Sequence, residues 1–287
     1  FKTDQGIKNL NRHESTRLCG EDPNHATRDL FEAIERGEHP SWTLEMQILT
    51  PEQAKDFKWD IFDITKVWPH KEVPPIVIGK LVLNRNPINY FAEVEQAAFC
   101  PGNVVPGIAL SPDRMLQARA FSYHDTHLHR LGPNYHLIPV NQPKNAPELS
   151  YQRDGAMRVD DNGAGGPNYW PNSFGGPAPD AAKGEPVFEL EGMAGRYHHS
   201  HPNDDFVQAG KLYSKVMTAK DREHLVGNIV DHLKNAQKRI QLRQTALFFK
   251  AHEDYGSKVA EGLGLDINEV RKLAAMSPEE RATATSA

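Results

Sequence analysis

The stretch Arg119-Ala120-Phe121-Ser122-Tyr123-His124-Asp125-Thr126-His127 combines side chains that rarely occur together on one helix face. Within it an arginine, a tyrosine and a histidine follow at intervals of four residues, so helical geometry places them on one face. Met115 lies two turns before the tyrosine and Arg130 lies seven residues after it, on the same slowly drifting face. The stretch therefore predicts a helix that presents a tyrosine between basic groups.

The flanking residues predict that this helix runs from about 111 to 130. Ser111-Pro112-Asp113 provides an N-cap, a proline and an acid, and Leu131-Gly132-Pro133 provides the stop. By itself, the spacing favours an ordinary solvent-exposed helix face with one aromatic residue in it. The mixture of methionine, tyrosine, histidine and two arginines is unusual for such a face, and it would suit a flat anionic cofactor lying across it.

A tyrosine in this pattern points to a ligand of ferric iron. A phenol is neutral near pH 7, whereas ferric iron is bound by the phenolate. Arg119, one turn before Tyr123, supplies a permanent positive charge and several donors that stabilise a phenolate. Tyrosine is one of the axial ligands that haem proteins use. Arg130 can pair bidentately with a haem propionate.

Composition excludes some classes of partner. The 287 residues carry a net charge of -5, which argues against a general nucleic-acid binder. No stretch approaches the roughly 20 apolar residues of a membrane helix, so neither nucleic acid nor a membrane is a predicted partner. Cys19 and Cys100 fit ordinary thiols in a reducing compartment.

The order of local patterns predicts an α+β chain in three parts. Trp42 to Ile48 alternates apolar and polar residues, as a half-buried antiparallel strand does, and belongs to a first part, residues 1–85. Residues 86–202 hold the tyrosine helix, followed by a long Gly-, Pro- and Asn-rich segment. That segment keeps several aromatic residues, which predicts an ordered arm lying on another surface, such as another subunit. Residues 203–287 have helical periodicity.

The chain resembles the haem catalases. The stretch around Tyr123 is similar to the proximal haem-ligand signature of that family, and further motifs follow in the family's order from Phe1 to about Tyr255. They are Val67-Trp68-Pro69-His70, Gly79-Lys80-Leu81-Val82-Leu83-Asn84, Asn89-Tyr90-Phe91-Ala92-Glu93-Val94-Glu95-Gln96, Leu131-Gly132-Pro133-Asn134-Tyr135, Tyr151-Gln152-Arg153-Asp154-Gly155 and Pro171-Asn172-Ser173-Phe174-Gly175-Gly176.

The resemblance implies a fold and a set of haem residues. The fold is part of an antiparallel β-barrel (1–85), an irregular wrapping arm that carries the haem-ligand helix (86–202) and a C-terminal helical bundle (203–287), as in the small-subunit type. Tyr123 is implied as the axial ligand of haem b, Arg119 as its hydrogen-bond partner, Asp113 as the acid that orients that arginine, and Arg130 as a propionate partner. The residues implied to pack on the haem are Met115, Ser122, His127 and Phe99.

The resemblance also implies an NADPH site and a homotetramer. Small-subunit members bind NADPH at the barrel surface, and the arm joins their subunits. Leu212 departs from those relatives that have an aromatic residue at its position. The six positions that match the NADPH site are Lys2, Val67, Trp68, His70, Gln208 and Leu212.

The implied reaction is the disproportionation of hydrogen peroxide to water and oxygen, which protects against peroxide. The family's distal histidine and asparagine have no match here, and the start at Phe1 suggests a C-terminal fragment that begins within the barrel. We therefore expect little or no activity from this chain alone. Ala284-Thr285-Ser286-Ala287 is not a peroxisomal tripeptide of the Ser-Lys-Leu kind, so the cytoplasm is predicted and the peroxisome is the alternative.

Two other functions stay open at this point. A related haem-barrel enzyme that rearranges fatty-acid hydroperoxides would share Tyr123 and Arg119. A non-catalytic oligomerisation module would use the arm from Lys144 to Pro202 and would bind no haem. The long arm and the helices after Asn203 favour catalase over the first of these.

Overall fold

The computed structural model describes residues 1–145, 151, 155–161, 165–184, 187, 195 and 204–286. The chain divides into two compact units, one formed by Phe1–Asn84 together with Tyr197–Ala287 and the other by Arg85–Arg196. Much of the predicted arm, including 146–150 and 188–194, lies outside the described residues.

An antiparallel sheet of three strands lies in the first unit. Its order is β1 (Lys2–Thr3), β2 (Ser41–Met46) and β3 (Ile76–Val82). The strand predicted from the alternation at 42–48 is confirmed as β2, with a register irregularity between Leu44 and Glu45. The described residues form three strands in all, so the predicted barrel is not shown.

Asp4 ties the three strands of this sheet together. It follows β1, and its carboxylate accepts hydrogen bonds from the hydroxyls of Ser41 and Thr43 in β2, both at 2.8 Å. Lys80 in β3 forms an ion pair with the same carboxylate at 3.1 Å. These donors, Ser41 first, lower the pKa of Asp4 to about 2.

Three helices of the first unit begin or end at residues that the sequence marks. They are α1 (Arg12–Glu21), α2 (His25–Glu35) and α3 (Pro51–Lys55). A capping box formed by Thr50 and Gln53 begins α3. Gly37 follows α2 with φ +77°, a conformation that favours glycine.

The second unit is built around α4 (Arg114–Leu131), the predicted tyrosine helix. It begins three residues later than predicted, because Asp113 rather than Ser111 is the N-cap and its carboxylate accepts from Met115 N at 2.9 Å. Gly132 ends the helix with φ +95°. A π-helical turn at Phe91–Glu95 precedes α4, and 3-10 turns follow at Tyr135–Leu137 and Ala181–Lys183.

A helical bundle completes the first unit. Its helices pack around one apolar core formed by Leu242, Ala246, Ala260, Leu265, Val270 and Leu273. No helix in the described part of the chain is both long and apolar enough to cross a membrane. The helices of the bundle are α5 (Val207–Lys211), α6 (Ala219–Leu233), α7 (Lys238–Ala251), α8 (Glu253–Leu263), α9 (Ile267–Ala275) and α10 (Pro278–Ala284).

Polar contacts fasten the bundle at two places. The buried Tyr213 donates its hydroxyl to Asp254 at 2.6 Å, and burial, together with this carboxylate, raises the pKa of Tyr213 to about 12. Arg281 in α10, a helix that the sequence analysis did not predict, is 6% exposed and donates to the carbonyls of Leu273 and Met276, both at 3.0 Å. These two bonds satisfy carbonyls at the end of α9.

Two glycines of the bundle provide a matched test of its packing. A Cβ on Gly256 in α8 would lie 2.3 Å from Phe249 Cα, whereas a Cβ on Gly227 in α6 would meet nothing within 4 Å. We predict that Gly256→Ala lowers the free energy of unfolding by about 1–3 kcal/mol through overpacking. Gly227→Ala should raise it by about 0.5–1 kcal/mol through helix propensity. Urea denaturation measures both, and equal effects would contradict the close approach of α7 and α8.

Candidate functional site

The predicted tyrosine, arginine and histidine are neighbours on α4. The guanidinium carbon of Arg119 lies 5.3 Å from the centroid of the Tyr123 ring, and the rings of Tyr123 and His127 are 6.1 Å apart. Tyr123 is half-buried, whereas His127 is buried. The geometry thus places a partly accessible phenol beside a permanent cation.

Two of the residues implied to pack on the haem are apolar and exposed. Met115, on α4, is 52% exposed, and Phe99, which precedes α4, is 81% exposed. Ser122, the residue before the tyrosine, directs its hydroxyl to the Arg119 carbonyl at 3.4 Å. Exposed apolar groups next to a few polar ones are typical of a site for a largely apolar ligand with charged groups.

Asp113 acts as the N-cap of α4 and forms no ion pair with Arg119 in the described part of the chain. Its predicted role in orienting Arg119 stays a prediction.

Arg130 and His127 hold the backbone that precedes α4. Arg130 donates from Nη1 to Glu95 O at 2.6 Å and from Nη2 to Ala97 O at 2.8 Å. His127 Nε2 lies 2.7 Å from Phe99 O, and Arg130 Nη2 lies 3.3 Å from His127 Nδ1. A carbonyl only accepts and a guanidinium only donates, so these partners assign the proton of a neutral His127 to Nε2.

Sequence reasoning missed three residues that complete this arrangement. His124 Nδ1 lies 2.9 Å from the hydroxyl of the buried Tyr135, and the Tyr135 ring is 5.6 Å from that of His127. Asn141 bonds to backbone groups in residues 96–98 and to Tyr135 O. The signal available in the sequence was the Gly132 stop, because a positive φ there turns the chain back onto the last turns of α4.

The residues predicted to bind NADPH all lie in the first unit, where the structure brings them together in two pairs. Lys2 and His70 line the same cavity of about 760 Å³, together with Trp42. Val67 N donates to Gln208 Oε1 at 3.0 Å, and Gln208 Nε2 donates to Val67 O at 3.0 Å. The amide of Gln208 is therefore engaged with backbone in both directions.

The remaining two members of that set have other surroundings. The Trp68 ring is 6.3 Å from Phe57, and its carbonyl accepts from Gln47 Nε2 at 3.2 Å. Leu212 is 54% exposed on the π-helical turn after α5. The structure groups neither residue with the two pairs, and the roles of Trp68 and Leu212 in NADPH binding stay predictions.

No group of three or more His, Cys, Asp and Glu side chains in the described ranges could hold a metal ion.

Comparison with known proteins identifies the family. The family model described as Catalase matches residues 1–176. The chain belongs to the catalase family. A second model, Catalase-related immune-responsive, matches residues 199–263. The chain is 71% identical to a catalase of Methanosarcina barkeri over 285 residues, 99% of this chain and 56% of that relative. It is 49% identical to Catalase-A of Dictyostelium discoideum over 280 residues, 96% of this chain and 56% of the relative.

Solved catalases share the fold of this chain. Catalase A from Saccharomyces cerevisiae aligns with a TM-score of 0.84 and 40% identity, covering 91% of this chain and 55% of that one. A fungal catalase aligns with a TM-score of 0.82 and 43% identity, covering 91% and 54%. The catalase-family chain thus spans about half the length of the relatives it matches.

The hydrogen bond between His124 and Tyr135 can be measured by a double-mutant cycle. We predict a coupling free energy of about 0.5–1.5 kcal/mol between His124→Ala and Tyr135→Phe in thermal or urea unfolding, the value of one hydrogen bond. The exposed His129 on the same helix supplies the control, since His129→Ala should be additive with Tyr135→Phe. Additivity at His124 as well would show that the contact contributes nothing.

Proposed function

We propose that this chain supplies the proximal side of a haem catalase and that the whole protein converts hydrogen peroxide to water and oxygen. The observation that carries the proposal is the half-buried Tyr123 with the Arg119 cation 5.3 Å from its ring. Membership of the catalase family supports the reaction class. The chain spans about half the length of its relatives. The roles proposed for its residues are therefore confined to the side of the haem on which Tyr123 lies.

The donor set around Tyr123 fits haem b. A half-buried phenol can reach a ligand that lies on the α4 face, and the exposed Met115 and Phe99 offer apolar contact to a porphyrin. Tyr123 would hold the iron through its phenol oxygen, with Ser122 and His127 near it on α4. When bound, haem supplies an iron centre that can be oxidised by one peroxide and reduced by another.

Arg119 and Asp113 act on the ligand in different ways. Arg119 would keep Tyr123 as a phenolate through its fixed charge and its donors. The anionic oxygen of Tyr123 would in turn favour ferric iron. Asp113 would act on Arg119 through α4, because it caps the first turn of the helix that carries the arginine.

Arg130 is proposed as a partner of a haem propionate. A guanidinium has five N–H donors, and the described contacts of Arg130 use its two Nη atoms. Donors therefore stay available for a carboxylate while the arginine holds Glu95 O and Ala97 O.

Finer features of the whole protein belong to the same proposal. The seven residues of β3 are all exposed although most are aliphatic, which supports a place for the sheet within a larger antiparallel barrel. The cavity shared by Lys2 and His70 supports NADPH as a ligand of the first unit. A homotetramer joined through the arm and a cytoplasmic location complete the proposal, although one relative is the peroxisomal catalase of Toxoplasma gondii.

Replacing the proposed ligand tests the haem assignment. Tyr123→Phe in the whole protein removes the only oxygen that can bind the iron at this position. We predict a haem affinity lower by at least about tenfold, the loss typical even of residues that merely support a ligand. Haem content and the Soret band measure it. Tyr169→Phe is the control, because Tyr169 is 61% exposed and away from α4 in sequence. Stoichiometric haem with an unchanged spectrum in Tyr123→Phe would contradict the assignment.

Substrate choice separates catalase from the related hydroperoxide-rearranging reaction. We expect the haem-loaded whole protein to release oxygen rapidly from hydrogen peroxide, measured with an oxygen electrode, and to consume a fatty-acid hydroperoxide far more slowly. The opposite preference would favour the rearranging enzyme. Oligomers of the purified protein with no haem absorption would favour a non-catalytic assembly module.

A further inference from the structure

The backbone of residues 95–99 is held by three side chains. This segment begins at the last residue of the π-helical turn, and residues 96–99 have no regular structure, yet each of the five residues offers a backbone group to Arg130, His127 or Asn141. The five groups are Glu95 O and Ala97 O with Arg130, Gln96 O and Ala98 N with Asn141, and Phe99 O with His127.

We infer that Asn141 is a positioning residue for the Tyr123 site. It holds residues 95–99 in register with α4, and so keeps the Phe99 backbone and the Tyr123 helix as one rigid element. This inference rests on the proposed function, since the element matters to catalysis only if Tyr123 binds haem iron.

The chemistry of the side chain explains why an asparagine stands at this position. Its Oδ1 accepts from Ala98 N at 2.8 Å, while its Nδ2 donates to Gln96 O at 3.0 Å and to Tyr135 O at 2.9 Å. A primary amide has one acceptor oxygen and two N–H donors. Here the oxygen accepts one hydrogen bond and the nitrogen donates two. Asparagine thus joins the segment to Tyr135, whose hydroxyl bonds to the residue next to Tyr123.

The clamp, meaning Asn141 together with Arg130 and His127 bonded to residues 95–99, is partly buried. Ala98 is 7% exposed, so an unpaired amide there would carry a desolvation penalty. The Phe99 side chain, by contrast, is 81% exposed while its carbonyl is bonded to His127. The backbone is therefore fixed and the ring is presented outward. His127, whose ring is 6.1 Å from that of Tyr123, anchors both features.

The clamp itself is tested first in the haem-free protein. Asn141→Ala should accelerate hydrogen exchange of the Ala98 amide by about tenfold, the factor that corresponds to one lost hydrogen bond. Asn134→Ala is the matched control, because Asn134 donates to Gly155 O and Ala156 O and does not bond to residues 95–99. Unchanged exchange of Ala98 in Asn141→Ala would overturn the inference.

The effect on the iron ligand is tested in the haem-loaded whole protein. Asn141→Ala and Asn141→Asp, which keeps the acceptor but loses both donors, should retain haem but change the splitting of the ferric high-spin electron paramagnetic resonance signal and lower kcat more than they change KM. Asn134→Ala should leave the signal unchanged even at an equal loss of thermal stability. If Asn141→Ala does not fold, Asn141→Asp alone carries the test.

The two possible failures are distinguishable. A wild-type protein without tyrosinate-ligated haem would refute the proposed function, while the exchange experiment would still report on the clamp. A wild-type protein with that ligation, together with wild-type resonance signals in both Asn141 variants, would overturn the inference and leave the proposed function standing. A signal that Asn134→Ala changes as much as Asn141→Ala does would also overturn it.

Discussion

The hydrogen bond between His127 and Phe99 O, 2.7 Å long, joins α4 to the backbone that precedes it. Because the carbonyl can only accept, it fixes both the tautomer and the orientation of His127. The other imidazole nitrogen is then free to accept from Arg130, which in turn spans Glu95 O and Ala97 O. The buried imidazole and Arg130 together therefore satisfy backbone carbonyls in a largely irregular segment.

The charges of the site are arranged along one helix, at its two ends and beside the tyrosine. Arg119 lies beside Tyr123, and Arg130 lies near the C-terminal end of α4, where a cation also interacts favourably with the helix dipole. Asp113 at the opposite end caps the helix and has the favourable sign there. The helix thus carries charges that suit its two ends, while the charge nearest the tyrosine is that of Arg119.

Different interactions stabilise the sheet and the helical bundle of the first unit. Its sheet is short, and Asp4 joins its three strands through hydroxyl and ammonium donors. Its bundle has an apolar core and tight helix contacts that permit only glycine at Gly256. The loop containing Val67 is joined to α5 by the paired bonds of Gln208. The exposed aliphatic residues of β3 show that this sheet leaves apolar surface uncovered within the described part of the chain.

Features that depend on residues within one or two turns were predictable from the sequence. The strand β2 and the adjacency of Arg119, Tyr123 and His127 follow from spacing, because backbone geometry relates such residues directly. Motif order also carries the resemblance to the catalases, and the matching family model confirms it. The start of α4 lies three residues after its predicted position, because Ser111 and Asp113 are both good N-caps and spacing does not choose between them.

Contacts between distant positions were decided only by the tertiary structure. His127 meets Phe99 O across 28 positions and Asn141 meets Ala98 N across 43, and no local pattern encodes either. The pairing of Gln208 with Val67 spans 141 positions. Sequence periodicity reports which face of an element a side chain occupies, whereas the partner on that face depends on how the chain returns. The sequence therefore indicates the tyrosine as a candidate ligand, whereas the bonds that join its helix to the preceding backbone are visible only in the fold.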